Sequence, residues 1–480
     1  MMQPGESISQ ETTAKSADPS PARQHSVLSF SEFLVSLLKA FEAEGIRPCI
    51  MRNYEGFPEQ NIGRDMDFVI SPSELPKAIR ALDSIKGVRV VGYIQYPFVA
   101  LVYLSGVSPA PQVRSLEVDF SWRLDWKGLP FLATDVMMQA AVRQTAGNSV
   151  FFKLSPVHEA ILSLLTCLLS SGFVKEKYFP MVQRTFTDER SQVIAALVPH
   201  FGSTAATRLV DFVIEGDRRK MVGCAGSLRA ALVLRSVLRR PLRSILDVVW
   251  HYAGGFAVHY SPKTRESICI LGFDGCGKTT TIESLMATLQ GAAMVVEKRH
   301  PGSRSSLVHD PSEAIAPVDS NPGALRGPLV SMVKLIVWVL EEWLSQIKGS
   351  ACLVLRLKEG CYHDLPINPR RYGYGGPIWF ARLATKLLPS PDLWILLDVS
   401  PELLRSGNLG LSPVETLRQV EAYRAFVRTR RKYVIVSADQ SAQEVTERSY
   451  AFIIDILAER ANRRLRRFLT FWHSLLMLKS

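Results

Sequence analysis

The chain has 480 residues, 47% of them hydrophobic and 21% charged, a balance that supports sizeable cores and excludes a largely disordered or fibrous protein. A length of 480 residues corresponds to roughly two to four domains. Lys plus Arg outnumber Asp plus Glu by 57 to 45, a formal net charge of +12, and such a surface attracts nucleotides, nucleic acid or anionic lipid without choosing among them.

Met1–Gln24 is polar and rich in Ser, Thr, Gln and Pro. It lacks the apolar stretch of a secretory signal, so residues 1–27 read as a disordered tail. Phe30–Glu44 has the apolar spacing of an amphipathic helix and stops at Gly45. Strands are expected at Ile46–Met51, Asp65–Ile70, Val88–Ile94, Phe98–Leu104 and Leu116–Trp122, with a helix over Pro156–Leu169, which makes residues 28–173 an α+β domain. In Gly63-Arg64-Asp65-Met66-Asp67, strand alternation puts Asp65 and Asp67 on one face. Glu117-Val118-Asp119 on a later strand brings further carboxylates, Asp119 among them. Such oxygen ligands suit Mg²⁺, although the same pattern also describes a solvated turn entering a strand.

Residues 174–262 read as a basic helical connector between the flanking domains, with Arg218, Arg219, Lys220, Arg229, Arg235, Arg239, Arg240 and Arg243 on a solvated helix face. From Ser267 strands alternate with helices. The strands are Ser267–Leu271, Ala292–Glu297, Ala351–Leu355, Leu393–Val399 and Tyr433–Ser437, and the helices Thr280–Leu289, Leu329–Ile347, Val414–Arg428 and Ala442–Leu457. That order implies an α/β domain over 263–460 with a doubly wound, mostly parallel sheet. Leu329–Leu340 is the longest apolar run, is broken by Lys334, and falls short of the roughly 18 residues of a membrane-spanning helix. The 7 cysteines, scattered and without zinc-knuckle spacing, suggest reduced, buried thiols of a cytoplasmic protein.

Gly272-Phe273-Asp274-Gly275-Cys276-Gly277-Lys278-Thr279-Thr280 fits G-x-x-x-x-G-K-[ST], follows an apolar strand and opens a helix. Gly272, Gly275 and Gly277 let the backbone N–H groups around Cys276 and Thr280 turn toward phosphate oxygens, and the helix N-terminus adds a positive dipole end. Lys278 is expected to reach the β- and γ-phosphates of ATP, and the Thr279 hydroxyl to ligate Mg²⁺. Asp274 either contacts a substrate hydroxyl, a magnesium-bound water or a cation, or caps the turn. Asp398 ends an apolar strand and is either a carboxylate near magnesium or an N-cap partner for Ser400-Pro401. Tyr372-Gly373-Tyr374-Gly375-Gly376-Pro377 reads as a base-stacking lid or as a tight structural loop.

The G-x-D-G-x-G-K-[ST]-T loop resembles that of thymidylate kinases. Cys361-Tyr362-His363-Asp364, Asn368-Pro369-Arg370-Arg371-Tyr372, Pro391-Asp392-Leu393 to Asp398, and Leu417-Arg418-Gln419 to Tyr423 are similar to a thymidylate kinase-like branch of that family, over about Ser267–Leu457. The resemblance implies a P-loop kinase fold that phosphorylates a nucleotide-like or other small acceptor with Mg·ATP, with Lys278, Asp274 and Glu359 at the catalytic centre. Family members are often dimers, so the resemblance also implies a homodimer. One departure concerns an Asp-Arg pair whose arginine grips the acceptor phosphate in the family; here Glu359-Gly360 stands in its place. The Arg expected after Pro401-Glu402 is displaced to Arg405. Arg370 and Arg371 either supply the missing charge or form a basic surface loop, and restoring arginine at 360 is expected to improve use of thymidine monophosphate. The first domain resembles the nucleotidyltransferase fold of the polymerase-beta superfamily over about Leu28–Phe131, with Met51-Arg52-Asn53 where that family has a Gly-Ser pair.

Two further readings stay open. In one the chain is a degenerate, ATP-binding regulatory module; in the other the first domain is the enzyme. At the end of the sequence, residues 461–480 form a basic amphipathic tail: Arg463, Arg464, Arg466 and Arg467 precede Phe468, Leu469, Phe471, Trp472, Leu475, Leu476 and Leu478. That pattern suits weak association with anionic membranes or a helix docked on the kinase domain. Nucleic acid is not an expected partner, because the basic residues lack interleaved aromatic platforms.

Overall fold

The computed structural model describes residues 30–57, 65–106, 115–146, 149–260, 265–289, 295–299, 327–347, 353–400 and 413–477, with side chains in the last helix as far as Leu469. The N-terminal tail, Gly63-Arg64, the Pro401-Glu402 to Arg405 stretch and the side chains after Leu469 lie outside the described residues.

The first half opens with α1 (Phe30–Ala43), β1 (Cys49–Ile50), β2 (Asp65–Val69), α2 (Leu75–Asp83), β3 (Val88–Gln95), β4 (Val99–Gly106) and β5 (Ser115–Ser121). A small hairpin of β6 (Leu124–Trp126) and β7 (Leu129–Leu132) follows, then α3 (Thr134–Gln139), β8 (Val142–Ala146), β9 (Ser149–Lys153) and α4 (Pro156–Ser171). Seven strands form one sheet in the order β3-β4-β5-β2-β1-β9-β8. β2 pairs β5 and β1 pairs β9 in parallel, and the other pairs are antiparallel. Phe33, Leu34, Leu37 and Phe41 of α1 cover one face with Phe68, Val118 and Phe120. Val69, Cys49 and Met51 on the other side join α4.

That second core does not end at residue 173. It continues through α5 (Phe179–Asp188), α6 (Arg190–Phe201), α7 (Ser203–Ile214) and α8 (Arg218–Arg239), which contribute Phe186, Leu197, Leu209 and Leu228 to it. The helices expected as a connector are thus built onto the first domain, and the 173/174 boundary runs through a shared core. α8 also corrects the expectation of no spanning-length helix: a window of it has mean hydropathy 1.5 and is long and apolar enough to cross a membrane, by length and composition alone. Met221, Ala225, Leu228 and Leu232 nevertheless dock one side of it on the protein. α9 (Pro241–His259) completes this region.

The second half contains β10 (Arg265–Gly272), α10 (Lys278–Leu289), β11 (Val295–Arg299), α11 (Pro328–Ile347), β12 (Val354–Glu359), α12 (Ile378–Lys386), β13 (Leu393–Asp398), α13 (Pro413–Arg428), β14 (Tyr433–Ser437) and α14 (Ala442–Met477). The sheet order is β11-β12-β10-β13-β14, and every pairing is parallel. Strand alternation sorts the faces. Ile268 and Ile270 meet α10 and α14 on one side, while Cys269 and Leu271 meet Tyr423 and Val427 of α13 on the other. The sheet is therefore covered on both faces, as near-continuous apolar strands require. Strand order reverses around β10, so the carboxyl ends of β10, β12 and β13 open the crevice where ligands bind in such sheets.

The two halves share packing. Val91, Ile94 and Tyr103 of the first sheet enter the core of the second. Gly92 lies where a Cβ would stand 2.4 Å from Leu353 Cδ2, so β3 and the second sheet meet closely enough that a larger residue would displace the Leu353 side chain. α14 runs without a break past the expected tail boundary at 460, packs along β3, and places Leu465 and Phe468 in the first core.

Candidate functional site

The apolar strand β10 ends at Gly272, where a Cβ would lie 2.5 Å from Cys276 Sγ and 2.8 Å from the Leu397 carbonyl oxygen. Gly275 and Gly277 take φ of 90° and 83°, a left-handed backbone that side chains resist. These conformations wrap the turn around the first turn of α10, where Thr279 and Thr280 are exposed. Cys276 packs inward, and burial raises its thiol pKa, so it serves as a spacer and not a nucleophile. Lys278 is 5% exposed and spans the turn, with Nζ donating to the carbonyls of Gly272 (3.1 Å) and Phe273 (2.7 Å) and to Asp274 Oδ1 (3.2 Å).

The Thr279 hydroxyl donates to Glu359 Oε1 at 2.6 Å. Glu359 is the last residue of β12, opposite Ile270 and four residues beyond Leu355, where the strand is expected to end, and it is buried. Lys298 Nζ stands 3.8 Å from Glu359 Oε2. Lys298 was not singled out in the sequence; the only signal for it is a cation at the carboxyl end of an edge strand. Thr279 and Glu359 bring two oxygen donors together beside the turn. Mg²⁺ takes one or two protein oxygens and completes its shell with water and substrate phosphate, so this pair fits an ion held jointly with a nucleotide.

Gly360 has φ of 70° and donates its N–H to the Ile270 carbonyl at 2.9 Å. A Cβ there would meet the Arg371 guanidinium at 3.4–3.5 Å. Arg371, from a turn eleven residues on, therefore fills the space beside residue 360. Its side chain is 9% exposed, and Nη1 lies 3.7 Å from Asp274 Oδ1 and 3.9 Å from Asp364 Oδ2. This buried nitrogen has no hydrogen-bond partner among the described residues. The turn is set by Asn368, whose side chain accepts from Arg371 N at 3.3 Å, and by Gly373 in the left-handed region. Arg370 is exposed, and its charge is felt at Glu415 of α13. The structure thus separates two arginines that the sequence treats alike.

Asp364 is wholly buried behind Arg371 and accepts from the hydroxyls of Tyr372 and Tyr423, the latter at 3.3 Å. Burial, reinforced by Cys361, pushes its carboxyl up to about 7, with Arg371 opposing. Tyr372 also donates to the Cys361 carbonyl at 3.0 Å, Tyr374 is buried and donates to the Pro377 carbonyl at 3.0 Å, and Gly375 N donates to Ser331 Oγ at 3.0 Å. Trp338 stacks on Tyr362 at 4.4 Å beside Tyr372. With both hydroxyls engaged internally, Tyr372–Pro377 is a tight structural loop.

Asp398 follows neither expectation. Arg424 Nε contacts both its carboxylate oxygens, at 2.8 and 3.1 Å, while Ser400 N is capped by Asp439 Oδ1 at 3.0 Å. A carboxylate so paired is a poor magnesium ligand. Arg424 lies one helix away from its partner, and nothing local in the sequence announces it.

In the first domain the parallel register sets Asp65 opposite Glu117 and Asp67 opposite Asp119. Arg52 Nε and Nη2 hold Asp67 Oδ2 at 2.9 and 2.8 Å. Burial, then Glu117, Asp67 and Asp65, push Asp119 up to about 8. Among the described residues, no three His, Cys, Asp or Glu side chains converge as a metal site, so the arrangement does not fit a resident ion held by this cluster.

No family model matches the sequence, and no curated protein matches it significantly. Among solved structures the chain is similar to thymidylate kinase from Candida albicans, with 13% identity over 39% of this chain and 90% of that one and a TM-score of 0.30. It is also similar to thymidylate kinase from Ehrlichia chaffeensis, with 14% identity over 40% and 97% of the two chains and a TM-score of 0.27. At these values the likeness carries no argument about this chain. The nucleotidyltransferase resemblance finds no support in these comparisons.

Proposed function

We propose that the second half of the chain is an ATP- and Mg²⁺-dependent phosphotransferase acting on a small, phosphate-bearing acceptor. The observation that carries the reading is the Arg371 guanidinium, buried beside Gly360 with one nitrogen unbonded and facing Asp274 of the glycine turn. It puts a fork of donors where the sequence has lost one, and such forks suit phosphate.

In this reading the turn's N–H groups and the N-terminus of α10 hold the nucleotide phosphates, and Lys278 leaves the Gly272 and Phe273 carbonyls to contact them. Thr279 and Glu359 hold magnesium, which when bound neutralises charge on the transferring group. Arg371 orients and neutralises the acceptor phosphate. Asp274, 48% exposed and between Lys278 and Arg371, accepts a hydrogen bond from the attacking group and keeps both cations aligned. Catalysis of this kind is mainly positioning and electrostatics. The test is a screen of nucleoside monophosphates and sugar phosphates with labelled ATP. Labelled product that requires magnesium supports the reading, and no product from any acceptor defeats it.

A second activity, nucleotidyl transfer by the first domain, is favoured only by the parallel register that aligns Asp65 and Asp67 with Glu117 and Asp119. The Arg52–Asp67 ion pair stands against it. If the activity exists, exchanging Asp65 and Asp67 for Asn abolishes it in the full chain.

A further inference from the structure

α9 is built inside out. The residues it turns toward the protein are Ser244, Asp247, Val248, His251, Gly254 and Val258, a stripe of mainly polar and small side chains at helical spacing. The opposite stripe holds Leu242, Ile245, Leu246, Val249, Trp250 and Phe256, each 53–77% exposed. A surface helix of a water-soluble domain has the reverse arrangement.

The orientation is fixed by specific contacts. Arg123 Nη2 holds Asp247 Oδ2 at 2.7 Å, and Asp125 Oδ2 lies 3.5 Å from His251 Nδ1. A Cβ on Gly128 would stand 2.5 Å from the Asp247 carbonyl oxygen, and one on Gly254 would stand 2.5 Å from Pro97 Cγ, so two backbone approaches also set the rotation. Turning the apolar stripe inward would break all of these. No described residue covers that stripe.

The charge pattern beside it is one-sided. Residues 218–259 carry eight Lys and Arg and a single acid, Asp247, which is already paired inward. Arg235, Arg239, Arg240 and Arg243 gather where α8 meets α9 and, with Arg123, line a cavity of about 450 Å³. Leu234 and Leu238, 60% and 73% exposed, extend the apolar surface onto α8.

We propose that the α8–α9 corner docks on an anionic bilayer, with α9 lying in the interfacial plane, its apolar stripe toward the acyl chains and the corner arginines on lipid phosphates. Apolar area and adjacent cations are the two ingredients of interfacial binding. A second copy of the chain is the weaker occupant, because self-association through this corner would set the arginine cluster against its own image. The inference is independent of the phosphotransferase reading.

The experiment is flotation of the full-length protein with phosphatidylcholine vesicles, with and without phosphatidylserine, at low and high salt. Two variants carry the test: Leu242→Ser with Leu246→Ser and Trp250→Ser, and Arg239→Gln with Arg240→Gln and Arg243→Gln. A control carries Phe471→Ser with Trp472→Ser in the tail. Wild type and the tail control are expected to float with phosphatidylserine vesicles only, more at low salt, and each corner variant to lose roughly tenfold or more of the bound fraction. All the replaced corner side chains are exposed, so melting temperatures should be unchanged. The proposal is overturned if wild type does not float, if the corner variants float as wild type does, if only the tail control loses binding, or if the corner variants instead dissociate a dimer seen by sedimentation velocity.

Discussion

Replacing Arg371 by Ala removes the guanidinium that stands beside Gly360 among the described residues. A hydrogen bond to a charged group contributes about 1.5–3 kcal/mol, which converts to a loss of roughly 10- to 150-fold in kcat/KM for a phosphate-bearing acceptor. The variant also uncovers Asp364, which is fully buried and already held up to about 7; without the cation it takes a proton at neutral pH, and some stability is lost. Thermal unfolding and kinetics separate the two effects. Steady-state assays with labelled ATP should show the loss mainly in KM for the acceptor, with KM for ATP little changed. Arg371→Lys should recover only part of it, since an ammonium lacks the planar fork. The geometry also reverses the expectation for Gly360→Arg. The new Cβ would meet the Arg371 guanidinium at 3.4 Å on a backbone with φ of 70°, a strain of about 1–3 kcal/mol. The single variant should therefore be less stable and no more active. Unchanged acceptor kinetics in folded Arg371→Ala, or higher activity in Gly360→Arg, would refute the assignment of the acceptor phosphate to Arg371.

Mg·ATP should stabilise the protein by about 2.7 kcal/mol at a hundredfold excess over Kd, and Lys278→Ala should lose that thermal shift; a wild-type shift in the variant removes the glycine turn from nucleotide binding. Asp119 is raised from 3.8 to about 8, so the fold favours its protonated form. Its contribution to stability is complete below about pH 3.8 and is lost as pH rises through about 8. Urea unfolding of Asp119→Asn should accordingly show a flatter decline between those limits than wild type, and parallel curves would contradict the burial of that carboxyl. Leu340, Leu344, Trp379 and Leu383 of α11 and α12 are 54–65% exposed, and if the chain forms the expected homodimer this face should carry it; Leu340→Glu with Trp379→Glu should then give monomers by sedimentation velocity, and a wild type that stays monomeric at all concentrations counts against that face.

The regular elements were legible because each imposes its period on the sequence. The glycine turn was read residue by residue, since Gly272, Gly275 and Gly277 are required by contacts and positive φ. The acidic alternation in two strands suggests that Glu117–Asp119 lies near Asp65–Asp67, and the parallel pairing that aligns them is visible only in the structure. What was hidden arises between elements distant in sequence. Arg371 and Arg370 are equivalent in the chain and opposite in burial, because the capped turn from Asn368 decides which one faces in. Asp398 was read from its strand end alone, and its partner Arg424 comes from a helix 26 residues on. Strand β12 was expected too early; its continuation through Val354–Glu359 includes Arg356 and Lys358, charges that argue against a buried strand until Glu297 and Glu342 are seen beside them.

The two basic clusters exchange roles once their partners are known. From sequence, Arg463 to Arg467 before an apolar stretch suit a lipid surface, and the 218–243 cluster suits a solvated face. In the structure Arg464 Nη2 reaches Glu266 Oε1 at 2.6 Å, Arg460 pairs with both Glu266 and Asp392, and Arg463 pairs with Glu459. Glu266 is 3% exposed and is raised to about 7 by burial even against these cations, so removing the arginines would leave a buried carboxylate uncompensated. Leu465 and Phe468 fill the first core, each contributing about 1.5–3 kcal/mol by burial. This part of α14 is accounted for by the fold: it fastens the second sheet to the first through β3. In the 218–243 cluster the carboxylate partners of Arg218, Lys220 and Arg243 are at the surface or half-buried, Arg229 and Arg239 reach backbone carbonyls, and the cluster adjoins a helix whose apolar face has no described cover. Similar composition thus yields a structural clamp where a buried carboxylate binds the cations, and a corner open to an anionic surface where the carboxylate partners are few and at most half-buried.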